Sequence, residues 1–118
     1  MKNDRKHKVV FQLSNNDTFV QKSLIRQLSN LIEAMDGISI EVVAHSYGID
    51  LLLENSPFKN NVSMLRNKGV DFLVCERTLH HEKFDPSGLL NFIKVVPAGV
   101  AHIIQRQSEG WSYIKAGF

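Results

Sequence analysis

The only cysteine of this 118-residue chain, Cys75, stands where an apolar run stops and a polar one begins. Val70, Phe72, Leu73 and Val74 precede it; Glu76, Arg77, Thr78, His80, His81 and Glu82 follow. A thiol acts as nucleophile, persulfide carrier or oxidation target as its thiolate, whose ordinary pKa of about 8.5 falls near cations and helix N-termini. Arg77 and the two histidines bring positive charge and Glu76 opposes it. A short helical or irregular segment over 78–83 would put Cys75 near a helix start, whose backbone N–H groups and dipole favour a thiolate. Cysteine is also a common small core residue, so the local sequence leaves reactive and structural readings both open.

Other chemistries fit the residues less well. Cys75, His80, His81 and Glu82 are close in sequence, with His45 available, but none of their spacings matches the paired ligands of a structural zinc site, so no metal is expected. A protease-like triad of Cys75, His45 and Asp17 has no local signature behind it. The turn Ser46-Tyr47-Gly48 lacks the glycine-rich phosphate fingerprint, and no cofactor is expected. One cysteine forms no internal disulfide, so nothing demands an oxidising compartment. Net charge is +2, with Lys2, Arg5, Lys6 and Lys8 carrying much of the excess. Residues 1–7 read as a solvated basic tail ahead of a single domain over 8–118, with no recognition-helix pattern or basic-aromatic stripe for nucleic acid. No apolar run approaches the roughly 20 residues of a membrane span, and the start carries no signal-peptide core. The expectation is a cytoplasmic protein that contacts neither membrane nor nucleic acid.

The elements that must position Cys75 follow from periodicity. At 43% hydrophobic and 22% charged, the composition suits a soluble domain able to bury a core. Strands are expected at 8–13, 39–45, 70–75, 92–96 and 111–115. A helix from Thr18 to Asp36 has Val20, Leu24, Leu28, Leu31 and Met35 along one face, a Thr18–Gln21 capping box and Gly37 as its stop. Ile49–Leu53 reads as a short apolar helix. Ser56 and Pro57 open the next helix, which buries Phe58, Val62 and Leu65 and ends at Gly69. A helix over 99–108 is expected to bury Val100, Ile103 and Ile104. Alternating strands and helices imply parallel pairing with right-handed crossovers, a three-layer α/β/α domain on a mostly parallel five-stranded sheet.

Strands of a parallel sheet end on one rim, where ligands of open α/β sheets bind. Asn15 and Asn16 arrive there after the first strand, and His45, Tyr47 and Gly48 after the second. Cys75 and Thr78 follow the third, and Gly99 the fourth. These residues form the candidate site, with Cys75 as its reactive centre. Trp111, Tyr113 and Phe118 would expose aromatic surface in a monomer, which is a motive for self-association.

Four stretches in order resemble the DsrE/DsrF-like (YchN-like) family of small sulfur-metabolism proteins. They are Glu41-Val42-Val43-Ala44-His45 leading into Gly48-Ile49-Asp50-Leu51-Leu52, then Gly69 to Cys75 with Thr78-Leu79, then Val96-Pro97-Ala98-Gly99-Val100-Ala101, and finally Gln107 to Lys115. The resemblance implies a parallel five-stranded sheet and homo-oligomers, trimeric or hexameric. In sulfur-relay branches of the family a cysteine matching Cys75 carries sulfane sulfur as a persulfide between protein partners. Relatives commonly have a Gly-Pro-Gly type of turn where this chain has Ser46-Tyr47-Gly48. The contrasting expectation is a noncovalent small-ligand-binding or assembly module with a structural cysteine.

Overall fold

The apolar runs become five strands: β1 (Lys8–Leu13), β2 (Ser39–Ala44), β3 (Val70–Cys75), β4 (Lys94–Val96) and β5 (Ser112–Lys115). The computed structural model describes residues 7–117; the tail, apart from His7, and the aromatic Phe118 fall outside the described residues. All neighbouring strands pair in parallel, in the order β4-β3-β2-β1-β5. The steps from β1 through β4 move in one direction across the sheet, and the step to β5 returns past all of them. Right-handed crossovers therefore put the helices α1 (Thr18–Ala34), α2 (Lys59–Asn67) and α3 (Glu76–His81) on one face. They leave α4 (Gly99–Ser108) alone on the other.

Side-chain alternation follows this division. Val9, Phe11, Leu13, Val42, Ala44, Phe72 and Val74 join Leu24, Leu28, Val62, Leu65 and Leu79 in the larger core. The intervening Val10, Val43 and Leu73 meet Ile103 of α4 in a smaller one. Between β2 and α2 the chain forms a 3-10 helix, Ser46–Leu52. Gly48 packs there against β1: a Cβ would stand 2.0 Å from the Leu13 carbonyl oxygen, so only glycine allows the approach.

Three local expectations are corrected. The cap of α1 is Asp17, whose carboxylate accepts from the Phe19 and Val20 N–H groups, one residue ahead of the Thr18 cap expected. Asp17 wins because its carboxylate reaches two orphan donors at once. Ser56 accepts from Phe58 N–H at 3.1 Å, but α2 itself begins at Lys59, after the Ser56–Pro57 turn. On α4, Ile103 is buried as expected, whereas Val100 and Ile104 are 52% and 59% exposed. The sheet-facing side of α4 carries His102 and Arg106 because β2 presents Glu41 beneath it. Arg106 donates to both Glu41 oxygens at 3.0 and 2.8 Å, and His102 Nε2 lies 2.8 Å from Oε1. A buried carboxylate needs such partners, and this need outranks the burial of two aliphatic side chains. The guanidinium also stacks 4.7 Å from the Trp111 ring, tying the end of α4 to β5.

Candidate functional site

Cys75 is the last residue of β3 and only 7% exposed. Two helix starts converge on it, because α3 begins at the next residue and α4 descends over the same rim. The chain can close this tightly only at Gly99. A Cβ there would lie 3.1 Å from Cys75 Cβ, 3.2 Å from Val43 Cγ1 and 3.6 Å from His45 Cβ. Burial, the largest single influence, pushes the thiol pKa up. It is outweighed by hydrogen bonds to the sulfur from Gly99 N–H, Thr78 N–H, the Thr78 hydroxyl and Arg77 N–H, so the pKa falls below the ordinary thiol value. The Thr78 hydroxyl has a defined sense. It accepts from Ser46 N–H at 3.1 Å, which turns its own proton toward the sulfur. The donors are backbone and hydroxyl groups, fixed in place and independent of any side-chain charge.

His45 stands one position beyond the Ala44–Val74 pair, beside Cys75 on the α4 face. Both ring nitrogens are engaged elsewhere: Nε2 lies 2.8 Å from Gln12 Nε2, and Nδ1 lies 3.0 Å from Ser46 Oγ. The Gln12 amide nitrogen is a donor only, so His45 Nε2 accepts and Nδ1 carries the proton. Burial first, and then the positive charge of Lys115, lower the His45 pKa and favour the neutral ring. Cys75 therefore has no imidazolium partner in His45, unlike a Cys–His ion pair.

Beside these residues lies a groove of about 1060 Å³, lined by their chain neighbours and not by Cys75, His45 or Gly99 themselves. Ser46 and Tyr47 form one wall, Glu76, Arg77, Thr78, His80, His81 and Glu82 a second, and Pro97 and Ala98 a third. Tyr47 is 69% exposed at its mouth. The structure thus gathers Cys75, His45, Tyr47, Thr78 and Gly99 around one edge. Asn15, Asn16 and Gly48 stand apart from the groove walls. Asn15 Oδ1 accepts from Asp17 N–H and Asn16 donates to Asp50 at 2.8 Å, while Gly48 serves the packing against Leu13. Among the described residues, no three His, Cys, Asp or Glu side chains are arranged to hold a metal ion.

Gln12 and Tyr113 were not expected at this rim, and Ser46 was expected there only as part of the turn after the second strand. Ser46 adopts φ 53°, a left-handed conformation uncommon for a residue with a side chain. Its hydrogen bonds to His45 and Thr78 hold it there. Gln12 joins His45 to Tyr113, whose hydroxyl donates to Gln12 Oε1. Only the pairing of β1 with both β2 and β5 makes Gln12 central. The one available signal was a polar Gln12 between two apolar residues of a strand.

Comparisons with known proteins agree with this fold. Residues 7–116 match the model of the DsrE/DsrF-like family. The protein of unknown function MTH1491 from Methanobacterium thermoautotrophicum is 38% identical, with 92% of this chain and 98% of that one covered at a TM-score of 0.90. The conserved protein of unknown function BT1422 from Bacteroides thetaiotaomicron shares the fold at 12% identity, TM-score 0.77, with 98% and 99% covered. The ychN protein from E. coli shares it at 13% identity, TM-score 0.73, with 92% and 98% covered. No curated protein matches the chain. A family match spanning nearly the whole domain, joined to a 38% identical structure of the same fold, establishes that this chain belongs to the DsrE/DsrF-like family.

Proposed function

We propose that Cys75 is a sulfur carrier that accepts sulfane sulfur and hands it on as a persulfide. The observation that carries this reading is the set of donors around the Cys75 sulfur, next to an open groove lined by its neighbours Glu76, Arg77 and Thr78. In the loading step the thiolate attacks the outer sulfur of a hydropersulfide, R–S–SH. A new S–S bond forms between Cys75 and that sulfur, the S–S bond of the donor breaks, and its electron pair leaves with the thiolate RS⁻. In unloading, an acceptor thiolate attacks the outer sulfur of the Cys75 persulfide and Cys75 departs as thiolate. Donors that stabilise the sulfur anion favour the first state for attack and the second for departure.

Reduced protein incubated with a hydropersulfide donor should gain one sulfur in intact mass, and Cys75→Ser should gain none. An unchanged wild-type mass across several donors contradicts the proposal. The second reading, a noncovalent small-ligand module, draws support from the burial of Cys75. It predicts that Cys75 resists alkylation in the folded protein and that Cys75→Ser retains ligand binding. Rapid alkylation at neutral pH excludes it.

The proposal extends to assembly, partner and place. Exposed Val100, Ile104 and Tyr113 support a homo-oligomer, trimeric or hexameric, that hands sulfur to a relay protein in the cytoplasm. No helix among the described residues is long and apolar enough to cross a membrane. A monomeric mass in light scattering contradicts the assembly.

A further inference from the structure

A directed chain of hydrogen bonds runs from β5 across β1 to the end of β2 and ends at the groove. The Tyr113 hydroxyl donates to Gln12 Oε1, which orients the amide so that Gln12 Nε2 faces His45. His45 Nε2 accepts, so the ring proton sits on Nδ1 and is given to Ser46 Oγ. Ser46 therefore spends a lone pair on the ring, and its own proton is free to point into the groove it lines. Its backbone N–H meanwhile turns the Thr78 hydroxyl toward Cys75. The two hydroxyls of this edge are thus both donors, one to the sulfur and one to whatever enters above it.

We infer that Tyr113 and Gln12 are positioning residues that fix Ser46 as a donor, and that the small compound received at Cys75 carries an anionic acceptor placed against the Ser46 hydroxyl. The identity of that compound as a sulfur donor rests on the function proposed above; the relay itself does not. Anionic acceptors gain most from such a bond because charge-assisted hydrogen bonds are about twice as strong as neutral ones. With the Tyr113 hydroxyl gone, the Gln12 amide can turn over and offer Oε1 to His45. The ring proton would then move to Nε2, and the Ser46 proton would be drawn back to Nδ1.

Two measurements test this. Nitrogen-15 NMR of the neutral His45 ring should show Nδ1 protonated in the wild type and a shift of population toward Nε2–H in Tyr113→Phe. An Nε2–H ring in the wild type, or an unchanged ring in Tyr113→Phe, overturns the relay. In parallel, Cys75 is alkylated with iodoacetate and with iodoacetamide, and the ratio of the two rates is taken so that changes in thiolate population cancel. Ser46→Gly removes the hydroxyl while suiting the left-handed backbone. The iodoacetate preference should fall about fivefold, the worth of one ordinary hydrogen bond, and should fall in the same direction in Tyr113→Phe. A ratio unchanged in Ser46→Gly overturns the assignment of an anionic ligand. Failure of the wild type to take up sulfur would defeat the sulfur-carrier reading and leave both of these results standing.

Discussion

At the residue scale, Cys75 is governed by donors that do not titrate. Its lowered pKa means that the folded protein releases the thiol proton at a pH where the unfolded chain, with an ordinary thiol, still holds it. The stabilisation this provides is complete above the unfolded value and is lost as pH falls through the folded one. Alkylation of Cys75 should therefore rise with an inflection below that of an ordinary thiol. Thr78→Val removes the hydroxyl donor, so the inflection should move upward and the rate at neutral pH fall about tenfold, as expected for one hydrogen bond to a charged group. A profile identical to the wild type would show that the hydroxyl has no hold on the sulfur. Gly99→Ala drives a methyl group to 3.1 Å from Cys75 Cβ, which displaces the Gly99 N–H. It should slow alkylation and cost roughly 1–3 kcal/mol in chemical denaturation. Cys75, His45, Thr78 and Gly99 were legible because the ends of parallel strands must share a rim. Gln12 and Tyr113 were not, because they meet His45 only through a strand order that no single segment encodes.

At the element scale, α4 is held to the sheet by charge as much as by apolar contact. Burial would raise the Glu41 pKa, but the hydrogen bonds from Arg106 and His102 lower it below its ordinary value of 4.5. Arg106 in turn is held firmly charged, chiefly by its hydrogen bonds to Glu41. The contribution of Glu41 to stability is thus present above its unfolded pKa and lost as pH falls through the folded one. Glu41→Gln should cost about 2 kcal/mol at neutral pH and flatten the acid limb of the stability curve. Equal acid sensitivity in variant and wild type would contradict this account. The helical span of α4 was readable from its spacing, but its buried face was not. Val100 and Ile104 form an apolar side, and so do the aliphatic stems of residues that end in charge. Only the position of Glu41 on the facing strand decides between them.

At the scale of the whole molecule, the layered α/β architecture was readable because unbroken apolar strands alternating with amphipathic helices admit few other arrangements. The strand order, with β5 crossing back past β3, β2 and β1 to pair on the far side of β1, requires the structure. Close backbone approach gives the fold another demanding point at Gly48, where a side chain would collide with the Leu13 carbonyl. Gly48→Ala should destabilise the domain by about 3 kcal/mol, and a wild-type denaturation midpoint would contradict that contact. The same scaffold brings the ends of β2, β3 and α4 together around one sulfur, and the proposed function depends on that convergence. Its most direct test is to load the reduced protein with a hydropersulfide whose outer sulfur is isotopically labelled, and then to add a thiol acceptor. If Cys75 carries sulfur, the label appears on Cys75, in the intact mass of wild type and not of Cys75→Ser, and then passes to the acceptor. Label that never joins Cys75, or that stays on it when the acceptor is added, would contradict a carrier.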